Sequence, residues 1–446
     1  MRYLVLQFAG FKMKSRSLFI FVLPSLVSFF FISTVCAGEI RQGLDERFIV
    51  GYQGWFGCPG DFGDNQEWQH WFFKSVVGPD NLVVDMLPSL RDFVPTDLCD
   101  TGLKRPDGSK FYLYSAQNPH IVAVHFGWMR DHGIDGAAAS RFIGPVKSQG
   151  ASRFDRVLTN VRTAAEATGR VFFVDYDVSG AEPKTIIDDL RNDWRHLVDD
   201  LQVTASPNYL RDRGKPVLEL WGFGFSGHPG EAAEVSALIA ELKGGRDGLQ
   251  AATVIGGVPT NWRTLNGDSK KDPAWAATYR SYDVISPWSV GRFRDDTGAD
   301  DFMRDHVTGD LAETRRVGIR YMPVVFPGGS MKNLLTTRGD PSASSYPLNR
   351  VPRSCGNFYW HQVSNLLDQH VNMLFTAMLD EVDESTAIYP VVTRADNVPA
   401  GTQLVTLNID GCSLPDDWYM RVAGKAATYL HMQKAPPKSL KAVMTP

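Results

Sequence analysis

The chain has 446 residues, of which 43% are hydrophobic and 22% are charged, and its formal net charge is −4. A chain of this length and apolar content is able to bury a large core, which excludes a disordered or disulfide-only miniature protein. The mildly acidic balance also disfavours nucleic acid and anionic membrane surfaces as partners.

The first 37 residues have the pattern of a secretory signal peptide. Basic residues precede an apolar run over 18–32, and Val35-Cys36-Ala37 then places small residues at the −3 and −1 positions of a cleavage site. An uncleaved membrane anchor is the alternative, because the run approaches the ~20 residues of a spanning helix. Cleavage after Ala37 would lower the formal net charge to −8. The pattern predicts a secreted or periplasmic protein, 38–446, without a stable membrane partner.

Short β-rich runs alternate with helix-length segments along the rest of the chain, which predicts an α/β fold of βα units around a parallel sheet. The predicted strands are, in chain order, 48–53, 134–139, 171–178, 217–221, 253–258, 284–288, 321–326 and 371–379. Helices are predicted over 120–131, 186–201, 232–242, 359–367 and 418–430, with an elaborated loop over 58–119. Eight strands favour a closed (β/α)₈ TIM barrel as a single domain over 38–446, and an open doubly wound sheet is the alternative.

Four cysteines follow the signal peptide, at Cys58, Cys99, Cys355 and Cys412. An oxidising compartment permits up to two disulfides among them, in three possible pairings. Their spacing is not that of a zinc site, and we expect neither a metal nor a cofactor.

Polar and aromatic residues fall repeatedly at the carboxyl ends of the predicted strands, where TIM barrels carry their active sites. Together they predict a concave cleft with aromatic walls and several carboxylates, suited to binding a substrate. Each of these residues could instead have a purely structural role. The tryptophans could pack at the rim of the barrel, and the acids could form ion pairs with arginine. The residues concerned are Tyr52, Trp55, Asp175, Asp177, Glu219, Trp221 and Trp288.

The acidic segment 380–384 follows directly on the apolar run of the last predicted strand. If the chain turns there, Glu381 and Glu384 share one face at ~5–6 Å between Cβ atoms, whereas an extended chain separates them to opposite faces. A carboxylate pair is the usual equipment for glycoside cleavage, with one group protonated as acid and the other ionised as base. On its own, the segment is equally compatible with a solvated loop or a set of calcium ligands.

Residues 381–384 resemble the Glu-x-x-Glu signature of glycoside hydrolase family 99, the endo-α-mannosidase family, and Ser385-Thr386 follow as a small residue and Thr do there. Residues 52–59 are similar to the family's Tyr-x-x-Trp-[Tyr/Phe]-Gly-x-Pro, and the pair His70-Trp71 follows at about the expected distance. The related family 71 α-1,3-glucanases are similar as well. Val382 and Asp383 stand where the mannosidases commonly carry Trp-His, which puts mannoside specificity in doubt more than catalysis.

The resemblance implies retaining hydrolysis of α-linked glycans, such as α-mannan, without a metal or a covalent enzyme intermediate. Glu381 would act as base toward a sugar 2-hydroxyl, which attacks its own anomeric carbon to form a 1,2-anhydro sugar. Glu384 would protonate the leaving oxygen and then deprotonate the water that opens the intermediate. His70 and Trp71 would bind substrate. A non-catalytic carbohydrate-binding barrel and a transglycosylase on the same fold are the alternatives.

Overall fold

The computed structural model describes residues 42–61 and 66–444. The predicted signal peptide, residues 1–37, lies outside them and stays a prediction. Within the described residues, no helix is both long enough and apolar enough to cross a membrane.

The strands of the described chain alternate with helices, as the sequence predicts. In chain order they are β1 (Arg47–Tyr52), β2 (Leu98–Lys104), β3 (Lys110–Tyr114), β4 (Gly136–Phe142), β5 (Val171–Asp177), β6 (Arg211–Asp212), β7 (Lys215–Trp221), β8 (Thr253–Val258), β9 (Val284–Pro287), β10 (Arg320–Tyr321), β11 (Val324–Val325) and β12 (Met373–Thr376).

The helices are α1 (Pro119–Asp131), α2 (Ile143–Gln149), α3 (Ser152–Thr168), α4 (Ile186–Arg195), α5 (Ala232–Gly244), α6 (Trp275–Tyr279), α7 (Asp296–Phe302), α8 (Thr308–Val317), α9 (Lys332–Arg338), α10 (Asn357–Asp368), α11 (Trp418–His431) and α12 (Leu440–Met444). The predicted helix 186–201 is α4 followed by a π-helical turn, His196–Asp200.

The main sheet runs in the order β10-β9-β8-β7-β5-β4-β1-β12-β11, with parallel pairing along this path. Its two end strands, β10 and β11, belong to one short segment interrupted only by Met322 and Pro323. The amide of Met322 donates to Ile285 O at 2.9 Å, and the amide of Phe375 donates to Pro323 O at 3.0 Å. The segment therefore contacts β9 on one side and β12 on the other, which closes the sheet and confirms the (β/α)₈ barrel.

The barrel strands are apolar on both faces because each is covered by the interior on one side and by helices on the other. Every residue of β1 and of β8 is buried. Gly136 of β4 shows how closely these strands approach their neighbours. A Cβ at Gly136 would lie 1.9 Å from the carbonyl oxygen of Val171, so a larger residue there would push β4 away from β5.

The long connection between β1 and α1, expected as an elaborated loop over 58–119, contains the antiparallel hairpin β2–β3. A disulfide between Cys58 and Cys99 ties the start of this connection to β2, and a second disulfide joins Cys355 to Cys412. The sequence allowed three sets of pairings among the four cysteines, and the structure contains this one. Two disulfides are typical of proteins that fold in an oxidising compartment.

Candidate active site

A cleft of about 330 Å³ opens at the carboxyl ends of the barrel strands. It contains eight of the residues proposed from the sequence, namely Trp55, His70, Asp175, Asp177, Trp221, Trp288, Glu381 and Glu384. Its other walls come from residues that the sequence analysis did not propose, which are Gln53, Ser140, Phe142, Ser179, His228, Leu334, Arg338, Phe375, Met378 and Asp383.

The acidic segment lies on a tight turn beyond the last barrel strand. β12 ends at Thr376, and the carbonyl oxygen of Glu381 accepts hydrogen bonds from the amides of Thr386 (3.1 Å) and Ala387 (3.0 Å). The chain therefore reverses over residues 381–387, which we call the acidic turn. As a result, Glu381 and Glu384 both line the cleft instead of pointing to opposite sides of an extended strand.

The acidic turn is held in place from outside the cleft. The buried guanidinium of Arg353 donates through Nη2 to the carbonyl oxygens of Ser385 (2.7 Å) and Ala387 (2.6 Å). The same cation lies over the ring of Tyr419, 4.4 Å from its centroid. The amide of Ser330 also donates to Glu384 O at 2.8 Å. A turn held over residues 384–387 by two separate segments keeps its side chains oriented before any substrate binds.

The carboxylate of Glu381 is held by two donors. Gln53 donates through Nε2 to Oε1 at 2.9 Å, and Thr386 donates through Oγ1 to Oε2 at 2.6 Å. Gln53 is itself positioned by Asp380, whose carboxylate accepts from the amides of Gln53 (2.8 Å) and Gly54 (2.9 Å). Asp380 thus joins the end of β1 to the acidic turn.

The carboxyls of the acidic turn lie in a poorly solvated environment that disfavours their charged forms. Burial, followed by the neighbouring charges of Glu384 and Asp383, raises the pKa of Glu381 well above its ordinary value. Burial likewise raises the pKa of Asp383 and of Glu384, and the Arg338 guanidinium partly opposes the rise at Glu384. The cluster therefore retains protons at pH values where isolated carboxyls have lost them.

A second group of acids lies across β5 and β7. Asp175 and Glu219 are direct partners in the register of these two parallel strands. Burial, followed by the charge of Asp177, raises the pKa of Asp175, and burial, followed by the charge of Asp175, raises the pKa of Glu219. Burial raises the pKa of Asp177 to about 6. Asp175 Oδ1 and Glu219 Oε2 are buried without a hydrogen-bond partner among the described residues. Asp175 and Asp177 line the cleft, and Glu219 is buried beside Asp175.

The three cleft tryptophans have different surroundings. Trp55 stacks on His70 (4.3 Å between centroids, 7°) and on Phe142 (5.1 Å, 26°), so its faces are already covered and flat stacking on a sugar is blocked. Burial lowers the pKa of His70 to about 3, which keeps this imidazole neutral. Trp221 and Trp288 meet edge to face at 5.2 Å and 74°, and both line the cleft.

Three residues proposed as substrate contacts, Glu219, Tyr52 and Trp71, do not line the cleft. Tyr52 and Trp71 are each no more than 1% exposed. The hydroxyl of Tyr52 lies 3.0 Å from His125 Nδ1, and Trp71 donates through Nε1 to Tyr114 O at 2.9 Å. Their polar atoms are satisfied within the core, so their place in the structure is one of packing beneath the site.

Comparison with known proteins gives a likeness in fold. No protein-family model and no curated protein sequence matches this chain. Among solved structures, the GH99 endo-alpha-mannosidase from Bacteroides thetaiotaomicron is similar with a TM-score of 0.59 and 15% identity, over 87% of this chain and 99% of that chain. A glycoside hydrolase-like protein is similar with a TM-score of 0.47 and 13% identity, over 80% and 98% of the two chains. The resemblance found in the sequence motifs thus extends to a shared glycosidase-type fold.

Proposed function

We propose that the protein is a retaining glycoside hydrolase that acts on α-linked glycans, such as α-mannan or a related polysaccharide. The observation that carries the proposal is the placement of Glu381 and Glu384 on one hydrogen-bonded turn, in the wall of a cleft that also contains Trp221 and Trp288. Paired carboxyls facing a concave aromatic site supply the acid and the base that glycoside cleavage requires.

The hydrogen bonds distinguish the roles of the two glutamates. The donors from Gln53 and Thr386 favour the ionised form of Glu381, which suits a base. Within residues 42–61 and 66–444, no hydrogen-bond donor reaches the carboxyl of half-buried Glu384, which leaves its protonated form free to donate to a leaving oxygen. Burial raises the pKa of both glutamates, so the roles rest on these hydrogen bonds, and we assign the shared proton to Glu384.

The reaction follows from these roles. Glu381 takes the proton of the sugar 2-hydroxyl as its oxygen attacks the anomeric carbon, while Glu384 gives its proton to the leaving oxygen. The glycosidic bond breaks and a 1,2-anhydro sugar forms. Glu384 then takes a proton from water, the water oxygen attacks the anomeric carbon, and the 2-oxygen recovers its proton from Glu381. Two displacements at one carbon retain its configuration.

Other cleft residues are proposed as substrate contacts. Asp175 Oδ1, which has no partner among the described residues, is suited to accept a hydrogen bond from a sugar hydroxyl, and Asp177 lies two residues further along β5. Trp288 and Trp221 offer apolar surface to a sugar ring. The signal-peptide pattern and the two disulfides support work in an extracellular or periplasmic compartment.

The test replaces Glu384 with Gln and measures hydrolysis of a panel of α-linked glycans. Loss of general acid catalysis is expected to reduce kcat by about 10²–10⁴-fold on unactivated substrates, with an unchanged unfolding temperature. Glu234→Gln, an exposed residue of α5, is the matched control and should retain full activity. NMR of the first product should show the α-anomer.

Undiminished hydrolysis by the Glu384→Gln protein, or an inverted product, would refute the proposal. Glycan binding by the wild-type protein without any turnover would favour a carbohydrate-binding barrel. Products longer than the substrate would favour a transglycosylase.

A further inference from the structure

A small side chamber of about 30 Å³ adjoins the cleft at the ends of β1 and β4. Four residues, Gln53, Trp55, Ser140 and Phe142, line both spaces, so the chamber and the cleft share a wall. Its remaining walls are formed by Tyr52, Gly54, Gln117, Ala139, Arg141, Arg153, Phe154, Val157 and Leu158. The volume is enough for about two water-sized groups.

Four residues of the chamber wall carry buried polar atoms without a hydrogen-bond partner. They are the acceptors Gln53 Oε1 and Gln117 Oε1 and the donors Trp55 Nε1 and Arg141 Nη1. An unsatisfied buried polar atom costs about 1–3 kcal/mol, so four around one small space point to a missing occupant.

The orientation of both glutamine amides is set by their other hydrogen bonds. Gln53 Nε2 donates to the carboxylate of Glu381, and Gln117 Nε2 donates to Arg153 O at 3.2 Å. Each amide nitrogen is therefore engaged elsewhere, and the amide oxygens are left as the free acceptors. The chamber presents two acceptors and two donors.

Neither of the two arginines that line the chamber, Arg141 and Arg153, makes it favour an anion. Arg153 donates through Nη1 to Gln149 Oε1 at 2.7 Å, outside the chamber wall. Arg141 donates to both oxygens of Asp193, at 2.6 and 2.7 Å, and to Asp155 at 2.9 Å. Its charge is thus neutralised on the side away from Nη1. The side chains of Val157 and Leu158 add an apolar wall. The complementary occupant is neutral, with an acceptor, a donor and a small apolar end.

We propose that the side chamber binds the acetamido group of an N-acetylated amino sugar in the glycan. This inference rests on the proposed function in taking the cleft as a glycan site. The acetamido carbonyl accepts from Arg141 Nη1 and Trp55 Nε1, the amide N–H donates to a glutamine oxygen, and the methyl packs on Val157 and Leu158. A carboxylate or an O-acetyl ester lacks the N–H donor and leaves both glutamine oxygens unpaired.

The acetamido sugar is a neighbour of the ring that is cleaved. The proposed reaction needs a free 2-hydroxyl on the cleaved ring, so an acetamido group at that carbon would remove the nucleophile. Gln53 lies between the two spaces, with its Nε2 on Glu381 and its Oε1 unpaired. A substituent seated in the chamber would therefore help to position the adjoining ring over the base.

The test compares methyl N-acetylglucosaminide with methyl glucoside, which differ only in the acetamido group, as ligands of the Glu384→Gln protein. We expect the N-acetylated ligand to bind at least about tenfold more tightly, and its acetyl methyl to receive the strongest saturation transfer in NMR. Val157→Phe fills the chamber and should bring the ratio of the two Kd values to about one. Thr159→Phe, an exposed position of the same helix α3, is the matched control and should keep the preference. Gln117→Met, which removes one acceptor at similar volume, replaces Val157→Phe should that protein fail to fold.

Equal affinities for the two ligands, or a preference that survives Val157→Phe and Gln117→Met, would overturn the inference and leave only waters in the chamber. Failure of both ligands to bind, while the wild-type protein hydrolyses glycans without amino sugars, overturns it as well and leaves the hydrolase proposal standing. Absence of both binding and hydrolysis on every glycan would instead remove the proposed function itself.

Discussion

The hydrogen bond between Thr386 and Glu381 offers a direct test of which glutamate is the base. Thr386 Oγ1 donates to Glu381 Oε2 at 2.6 Å, and this bond lowers the pKa of Glu381 against the larger effect of burial. Replacing Thr386 with Val removes the donor while keeping the shape of the side chain. The ionised form of Glu381 loses one of its two donors and keeps the bond from Gln53.

The expected change follows from the energy of a hydrogen bond to a charged group, about 1.5–3 kcal/mol. One pKa unit corresponds to about 1.36 kcal/mol, so the pKa of Glu381 should rise by about 1–2 units in the Thr386→Val protein. The base must be ionised to act. The acidic limb of the kcat/KM profile should therefore move to higher pH by the same amount, with activity recovered at alkaline pH.

The assay is hydrolysis of a glycan substrate from pH 4 to 9 by the wild-type and variant proteins. Thr376→Val is the control, because this buried hydroxyl bonds to the hydroxyl of Tyr359 at 2.7 Å instead of to a cleft acid. The control should lose some stability and keep the wild-type pH profile. An acidic limb that stays in place in the Thr386→Val protein, or moves to lower pH, would contradict the assignment of Glu381 as base.

Three further predictions follow from the site. Burial raises the pKa of Asp175 from 3.8 to about 8, so the contribution of Asp175 to the unfolding free energy is favourable at low pH and is lost as the pH rises from 3.8 to 8. Asp175→Asn should therefore reduce the loss of unfolding free energy between pH 5 and 8 by up to about 1.4 kcal/mol per pH unit. Denaturant titration at both pH values measures this difference. Arg353→Leu leaves two buried carbonyls of the acidic turn unpaired and should lower the unfolding free energy by about 2–4 kcal/mol together with kcat, with partial recovery in Arg353→Lys. Trp288→Ala should raise KM about tenfold, because the substrate loses about 1–2 kcal/mol of apolar contact, and should change the unfolding temperature little. Trp55→Ala should instead mainly lower the unfolding temperature, because the Trp55 ring is packed between two other rings.

The barrel was predictable because its strands carry a strong local signal. The predicted run 253–258 has the bounds of β8, and Pro259 directly follows its last residue. The prediction was less accurate where backbone bonding changes partner within an apolar run. The predicted strand 321–326 is divided by Met322 and Pro323, and the run 371–379 leaves the sheet after Thr376. Hydrophobicity does not report such a change, because the residues stay buried on both sides of it.

The site was predictable to the extent that it depends on strand ends and on the acidic segment. What could not be foreseen were contacts between residues distant in the chain. The stacking of Trp55 against His70 and Phe142 depends on how a loop packs over β4. Gln53 directly follows β1 and belongs to the motif at residues 52–59, but only the structure shows that its Nε2 donates to Glu381 at 2.9 Å. Arg338, the last residue of α9, has no local pattern that would place it in the cleft.

The electrostatics of the cleft bear on whether the barrel catalyses or only binds. A binding protein needs hydroxyl partners, and Asn or Gln would supply them without the cost of burying a titratable acid. The cleft instead carries Asp175, Glu381, Asp383 and Glu384, all with pKa values raised by burial. Buried acids of this kind destabilise the fold at neutral pH, and their raised pKa values are useful in a site that transfers protons. The chemistry of the side chains, more than the shape of the cleft, therefore favours a hydrolase over a silent carbohydrate-binding barrel.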